Sequence, residues 1–276
     1  DKLKAKSRQT EKSVAGLSKM GDKLKGAFAG WATSAVMGSF RAVAGAASKA
    51  NASFIEFESS VGRIKTLIPG QVALQNKLAA SATKLSKAYG LAATDAANAT
   101  FQAVSAGVSA ADAGEFMKVA AENATAGFNS MEESVAGLTT VLNAYGLEVG
   151  EATAVSDAMF TANKLGVTTS RELGASLGAV VPIAANLGVS YRELMSGVVA
   201  LTKQGTSTAE SMIRMRAILA SIIKPTKVAA DEADKLGIAW DVNVVKAGGF
   251  TAVLDTLREV SLKGGEESLS KLIGRV

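Results

Sequence analysis

Apolar residues recur every three or four positions along most of the chain, the period of a helix that buries one face. In residues 1–50, Val14, Leu17, Gly21, Leu24, Phe28 and Trp31 keep alternating spacings of three and four, with Ser18, Lys19, Asp22, Lys23 and Lys25 between them. Leu3 and Thr10 extend the seam upstream, with a gap at Ser7. The run amounts to about two and a half heptads, short of the three or four that a coiled coil wants. A coiled-coil-like arm and an amphipathic helix packed on its own domain both fit it. Beyond Trp31 the face turns small, through Ala32, Ala35, Gly38, Ala42, Gly45 and Ala46, and small residues let helices approach closely.

A second stripe follows in Phe54, Phe57, Val61, Ile64 and Ile68, expected to be core, and Pro69-Gly70 stops it. From Gln71 to about Lys224 one device repeats: a Ser or Thr opens a helix and a glycine closes it. Ser130-x-x-Glu133, Thr169-x-x-Glu172, Ser190-x-x-Glu193 and Ser207-x-x-Glu210 read as capping boxes, in which the hydroxyl takes an orphan N–H and the carboxylate reaches back to the cap residue. Gly90, Gly107, Gly146, Gly166, Gly188 and Gly205 stand where a left-handed residue ends a helix. The expected helices are 71–89, 94–106, 110–126, 131–145, 149–165, 170–187, 191–204 and 208–223, and a further one covers about 250–262, after Pro225 ends the array. Short connections make neighbours roughly antiparallel. The units share a grammar of caps and stops but no strict fixed period. The fold class is therefore all-α: an array of short antiparallel helices behind an N-terminal amphipathic or coiled-coil-like arm. The expected domains are 1–50, a small-residue-rich arm suited to oligomerisation, and 51–276, a helical core.

Composition agrees. The chain is 48% hydrophobic but only 5% aromatic, and it has 3 prolines, at Pro69, Pro182 and Pro225. Alanine supplies much of the apolar fraction, which favours helix and thin individual contacts, while 27 glycines argue against one uninterrupted rod. The net charge of +5 is modest; the densest basic stretch, Lys2, Lys4, Lys6, Arg8 and Lys12, reads as a solvated arm, with DNA or anionic lipid as the alternative contact.

Cysteine and histidine are absent, which removes disulfides, cysteine-histidine zinc sites and the Ser-His-Asp and Cys-His nucleophile pairs. No P-loop, dinucleotide-binding glycine motif or calcium loop occurs. Gly248-Gly249 and Gly264-Gly265 read as hinges, and Asp231, Glu232 and Asp234 as a solvated acidic face. The glutamates of the capping boxes already have a structural task. No catalytic, cofactor-binding or metal-ligating residue is nominated, no cofactor is expected, and the chain does not read as an enzyme. The best membrane candidate, Gly26 to Phe40, has 15 uncharged residues between Lys25 and Arg41, against the roughly 20 a span needs, so it reads first as a buried or oligomer-facing helix. The opening at Asp1 suggests a fragment with its true start removed, and the last motif is cut at Val276.

Taken in order, the motifs from about residue 50 to 276 resemble the core region of the bacteriophage tail tape-measure family. They begin with Phe54-Ile55-Glu56-Phe57-Glu58-Ser59-Ser60-Val61, then Thr94-Asp95-Ala96-Ala97 through Ala106-Gly107-Val108-Ser109. Leu142-Asn143-Ala144-Tyr145-Gly146-Leu147 and Val155-Ser156-Asp157 follow, then Thr168-Thr169-Ser170-Arg171-Glu172-Leu173 and Ala184-Ala185-Asn186-Leu187-Gly188-Val189-Ser190. Ala200-Leu201-Thr202-Lys203-Gln204-Gly205, Arg216-Ala217-Ile218-Leu219, Pro225, Leu236-Gly237-Ile238, Gly249-Phe250 and Leu272-Ile273-Gly274-Arg275 complete the series. Each motif is generic; their order and spacing are specific. Pro69-Gly70 departs from the pattern, where a short loop is expected.

The resemblance implies a structural protein of the virion that occupies the tail-tube lumen, sets tail length during assembly in the host cytoplasm and is released when DNA is ejected. It implies, as partners, the tail tube protein, tail tip or baseplate hub proteins and tail assembly chaperones, and a homo-oligomer, trimeric or hexameric, about the tail axis. Host membrane contact and transient proximity to DNA come with the same role. A continuous helix of 276 residues would reach roughly 400 Å, but the repeated caps forbid one, so this stretch is expected to be a folded or refolding element attached to a longer rod. Two rivals remain: a membrane-active translocation segment, supported by Gly26–Phe40 and a mean hydropathy of +0.21, and a generic helical scaffold of an injection machine. Cell-wall hydrolase modules, found in some tape-measure proteins, have no counterpart here.

Overall fold

Capping hydroxyls and closing glycines cut the chain into the helices that their spacing predicts. A computed structural model describes residues 52–127 and 129–274, all-helical with no β-strand among them. The arm at 1–50 and the Gly26–Phe40 segment lie outside the described residues. The chain divides between Ser60 and Val61, inside the first described helix, α1 (52–67). Val61, Ile64 and Ile68 are buried, whereas Phe54 is exposed and Phe57 half-buried. The expected core stripe is thus covered only from Val61 onward.

The unit from Val61 continues with α2 (Val72–Tyr89), α3 (Ala93–Ser105), α4 (Ala113–Gly127), α5 (Met131–Tyr145), a 3-10 turn (Val149–Glu151) and α6 (Ala152–Leu165). It ends with α7 (Ser170–Leu177), α8 (Val181–Leu187), α9 (Tyr191–Lys203), α10 (Thr208–Ile223), α11 (Lys227–Leu236) and α12 (Val242–Ile273). Most boundaries fall within three residues of expectation. The exceptions are the last helix, expected over about 250–262 but running Val242–Ile273 with breaks at its glycines, and 170–187, which is two helices. Pro182 has no N–H to give, and its ring crowds the carbonyl four residues back. It therefore sits in the first turn of α8, with Gly178 ending α7.

From α2 to α7 each helix packs on its neighbour and on the next but one. α3, α5, α7 and α10 form one row; α2, α4, α6 and α9 form the other. α8 bridges α5, α9, α10 and α12, and α11 packs on α12. This two-row stack arises without any fixed sequence period. Alanine and glycine permit it: Ala96, Ala97, Ala99 and Ala103 are wholly buried on α3. α5 meets α7 where Gly137 faces Gly174; a Cβ on Gly137 would lie 3.3 Å from the Gly174 Cα. Phe116, Met117, Leu138 and Met159 supply the bulk between the rows.

Three of the expected closing glycines take left-handed helix-end conformations in the C-cap position, Gly90, Gly146 and Gly188, and Gly107 and Gly205 also have positive φ one residue later. Gly166 does not: it is extended, at φ −97° and ψ −178°. Its need is space, because a Cβ there would come within 2.9 Å of the Ala162 carbonyl oxygen and the Thr202 hydroxyl.

Candidate functional site

Three of the four predicted capping boxes close. The Glu133 N–H donates to Ser130 Oγ at 3.1 Å, and the Ser130 N–H donates back to Glu133 Oε2 at 2.7 Å. The same reciprocal pair joins Thr169 to Glu172 and Ser190 to Glu193. The fourth stays half open: Ser207 accepts from the Glu210 N–H, but the Glu210 carboxylate turns to Arg214 one turn along. That i,i+4 cation competes for the oxygen that a closed box needs.

Each closed box also reaches a later helix. Glu133 Oε1 pairs with Arg171 Nε of α7 at 3.1 Å. Glu172 Oε2 lies 3.4 Å from Thr208 Oγ1 at the start of α10, and that hydroxyl is 2.7 Å from Thr168 Oγ1. Glu193 Oε1 accepts the Phe250 N–H at 3.0 Å while its Oε2 serves Ser190. These ties run from α5 to α7, α7 to α10 and α9 to α12. Local caps thereby double as tertiary fasteners. Burial acts to raise the Glu193 pKa, but the N–H and hydroxyl of Ser190 and the N–H of Phe250 outweigh it and hold the carboxyl below its ordinary value.

The Phe250 tie explains the first glycine hinge. Gly248 and Gly249 break the helical path of α12, Gly249 with φ +65°, and a Cβ on Gly249 would overlap the Glu193 carboxylate. Gly265, with φ +64°, breaks it again. Beside Glu193, Tyr145 donates its hydroxyl to the Val189 carbonyl at 2.8 Å, and burial together with the Glu193 charge pushes its pKa well above the ordinary value. The Tyr145 and Tyr191 rings meet edge to face, 5.9 Å apart.

The acidic trio splits. Asp231 and Asp234 are exposed as expected, but Glu232 is only 6% exposed, which overturns its reading as part of a solvated face. It shares a side of α11 with Ala229, Ala233 and Leu236, and that side packs on α12. Its Oε1 accepts the Ser268 hydroxyl at 2.5 Å, and Lys235 and Lys271 stand 3.7 and 3.5 Å away. The Ser268 bond, aided by the two lysines against burial, keeps this carboxyl below its ordinary range.

Two grooves flank α9. One of about 310 Å³ lies between α6 and α9, lined by Asp157, Leu165, Met195 and Val199. The other, about 240 Å³, lies between α9 and α12 at Gly197, Phe250 and Leu254. Arg192 and Ser196 edge both. Among the described residues, no group of three or more acids could hold a metal ion, and no helix is long and apolar enough to cross a membrane.

A two-row stack of short helices, with its inward-facing carboxylates committed to caps and fasteners, defines a structural helical module. Residues 79–274 match the phage-related minor tail protein family. Over 152 residues the chain is 31% identical to the probable tape measure protein of Clostridium phage phiCD119, covering 54% of this chain and 16% of that protein. Over 189 residues it is 22% identical to the tape measure protein of Pneumococcus phage Dp-1, covering 68% of this chain and 16% of that one. No solved structure matches. The chain belongs to the phage-related minor tail protein family and is a phage tail protein of tape-measure type. It spans 16% of the length of each of these relatives.

Proposed function

We propose that this chain is a folded block of a tape-measure protein that lies in the tail-tube lumen, sets tail length during assembly and leaves with the genome at ejection. Residues 51–276 are its helical core and 1–50 an arm. Its partners are the tube protein, the tip or baseplate hub and the assembly chaperones. The observation that carries this reading is the stacking of α3 to α10 within residues 90–223, in a chain that matches tape measure proteins several times its length. A single helix through the same stretch would have acted as rod; a fastened stack acts as a block on the rod. The committed carboxylates favour a structural role over catalysis.

In-frame deletions in the rod of the complete protein test it. Tails should shorten by about 1.5 Å per deleted residue, while a deletion confined to this block should impair assembly without that proportional scaling. Tails of unchanged length after rod deletions would overturn the ruler reading.

A further inference from the structure

The pair α11–α12 is bound to itself more closely than to the rest of the chain. The buried residues of α11 are Ala229, Glu232 and Ala233, and the helix packs mainly on α12. A face of alanines covers little area, so α11 depends on α12 for its place. A polar lock joins the two: Glu232 accepts the Ser268 hydroxyl, Lys235 and Lys271 flank that carboxylate, and Lys263 Nζ donates to the Leu236 carbonyl at 3.2 Å. Every bond of this lock stays within the pair.

Toward the rows the polar tie is single. Among the described residues, the bond from the Phe250 N–H to Glu193 Oε1 is the one hydrogen bond or ion pair that joins α11 or α12 to an earlier helix. It falls where Gly248 and Gly249 break the helical path. The Phe250 N–H therefore begins a new helical run, as an orphan donor that Glu193 caps from outside. The ring of Phe250 lies against Gly197, where a Cβ would meet both the ring, at 3.1 Å, and Met215 Sδ, at 2.7 Å. Along the same seam runs the groove of about 240 Å³, with Leu254 44% exposed at its side. Upstream, the pair hangs on one short connection, Lys224-Pro225-Thr226, in which Lys224 leaves the helical path at φ −140° and ψ 79° and Thr226 caps α11.

We propose that α11 and α12 form a clip that leaves the rows as one unit, swinging on residues 224–226, while α2 to α10 stay folded. Release withdraws Phe250 and uncovers Gly197 and Met215. Glu193 keeps its bonds to Ser190 and loses only its outer partner. This is a sub-global opening, in which one cooperative unit parts at a lower free energy than the whole domain. It stands independently of the length-setting role.

Native-state hydrogen exchange of the 276-residue chain, read by mass spectrometry of its peptides, tests it. Peptides from 227–236 and 250–260 should share one protection level, at least about tenfold below that of peptides from α3 and α5. Glu193→Gln leaves one carbonyl oxygen for two donors. Exchange in α11 and α12 should then quicken together by about tenfold, the weight of one charge-assisted hydrogen bond, with α3 and α5 unchanged. Phe250→Ala should quicken the same peptides by about a hundredfold or more, again without loosening the rows. A merely local tie would quicken only the peptides around 190 and 250 and leave α11 as it was, and that result overturns the proposal. So does protection in α11–α12 equal to that in the rows, a different protection level in each of the two helices, or rows that loosen as much as the pair in both variants.

Discussion

The rows α2 to α10 and the closing pair α11–α12 are held together by different means. In the rows, helices approach through alanine and glycine, as at Gly137 on Gly174, and bury Phe116, Met117, Leu138 and Met159 between them. Attraction there is mainly dispersion and burial, to which the Glu133–Arg171 and Glu172–Thr208 ties are added. α12 also buries Phe250, Val253 and Val260, but its path is broken by glycines and its bends are fixed by carboxylates, Glu193 at Phe250 and Glu232 at Ser268. The rows fail through volume, and the closing pair fails through protons and backbone strain.

The largest effect should come from the rows. Phe116→Ala removes a fully buried ring and should cost about 3–5 kcal/mol of unfolding free energy in a urea titration. A cost under about 1 kcal/mol would mean that the rows are packed more loosely than Phe116 indicates. Next comes Gly249→Ala, which meets both the positive φ and the Glu193 carboxylate; a loss of about 2–3 kcal/mol is expected. Gly265→Ala shares the backbone strain but has open space around its Cβ, so about 1 kcal/mol should suffice. Equal effects at the two glycines would show that the Glu193 tie adds nothing.

Smaller still are the caps. Ser190→Ala opens a closed box and should cost about 1 kcal/mol, and Ser207→Ala, where the box is already half open, should cost less. Thermal melting of the two variants side by side reads the difference. The smallest effect distinguishes the two regions by pH. Glu193 and Glu232 have folded pKa values below their unfolded ones. Their contribution is therefore complete above the usual glutamate value of about 4.3 and fades as pH falls through the lowered folded values. Urea midpoints should match at pH 7 and pH 5 as far as these groups are concerned and drop below pH 4, with Glu232→Gln shrinking the drop. A midpoint that falls already between pH 7 and 5, and does so equally in Glu232→Gln, would place the sensitivity elsewhere.

Local chemistry made much of this legible in advance. A hydroxyl three residues before a glutamate is a complete instruction for a helix start, and three of the four boxes close as written. What lay beyond one turn was hidden. Nothing near Glu133 in sequence points to Arg171, and nothing near Glu193 points to the N–H of Phe250, because those partners arrive only when the rows stack. Two signals were present but outweighed. Pro182 with Gly178 four residues before it marks a break, yet the apolar period continues through it. Glu232 falls in register with Ala229, Ala233 and Leu236, so periodicity places it inward, but its acidic neighbours at Asp231 and Asp234 suggested solvent. The two rows themselves could not be read, since their regularity lies in contacts and not in any repeated string.

The shared use of single carboxylates has a consequence for how such a chain can change. A residue inserted or deleted inside an α-helix turns everything beyond it by about 100°. Within residues 131–250, an indel between a capping glutamate and its distant partner would swing Arg171, Thr208 or the Phe250 N–H away from the oxygen that awaits it. Substitutions can be absorbed one at a time, whereas changes of length strike a cap and a crossing together. This stretch should therefore keep its residue count among close relatives, with gaps gathered before α5 or beyond α12.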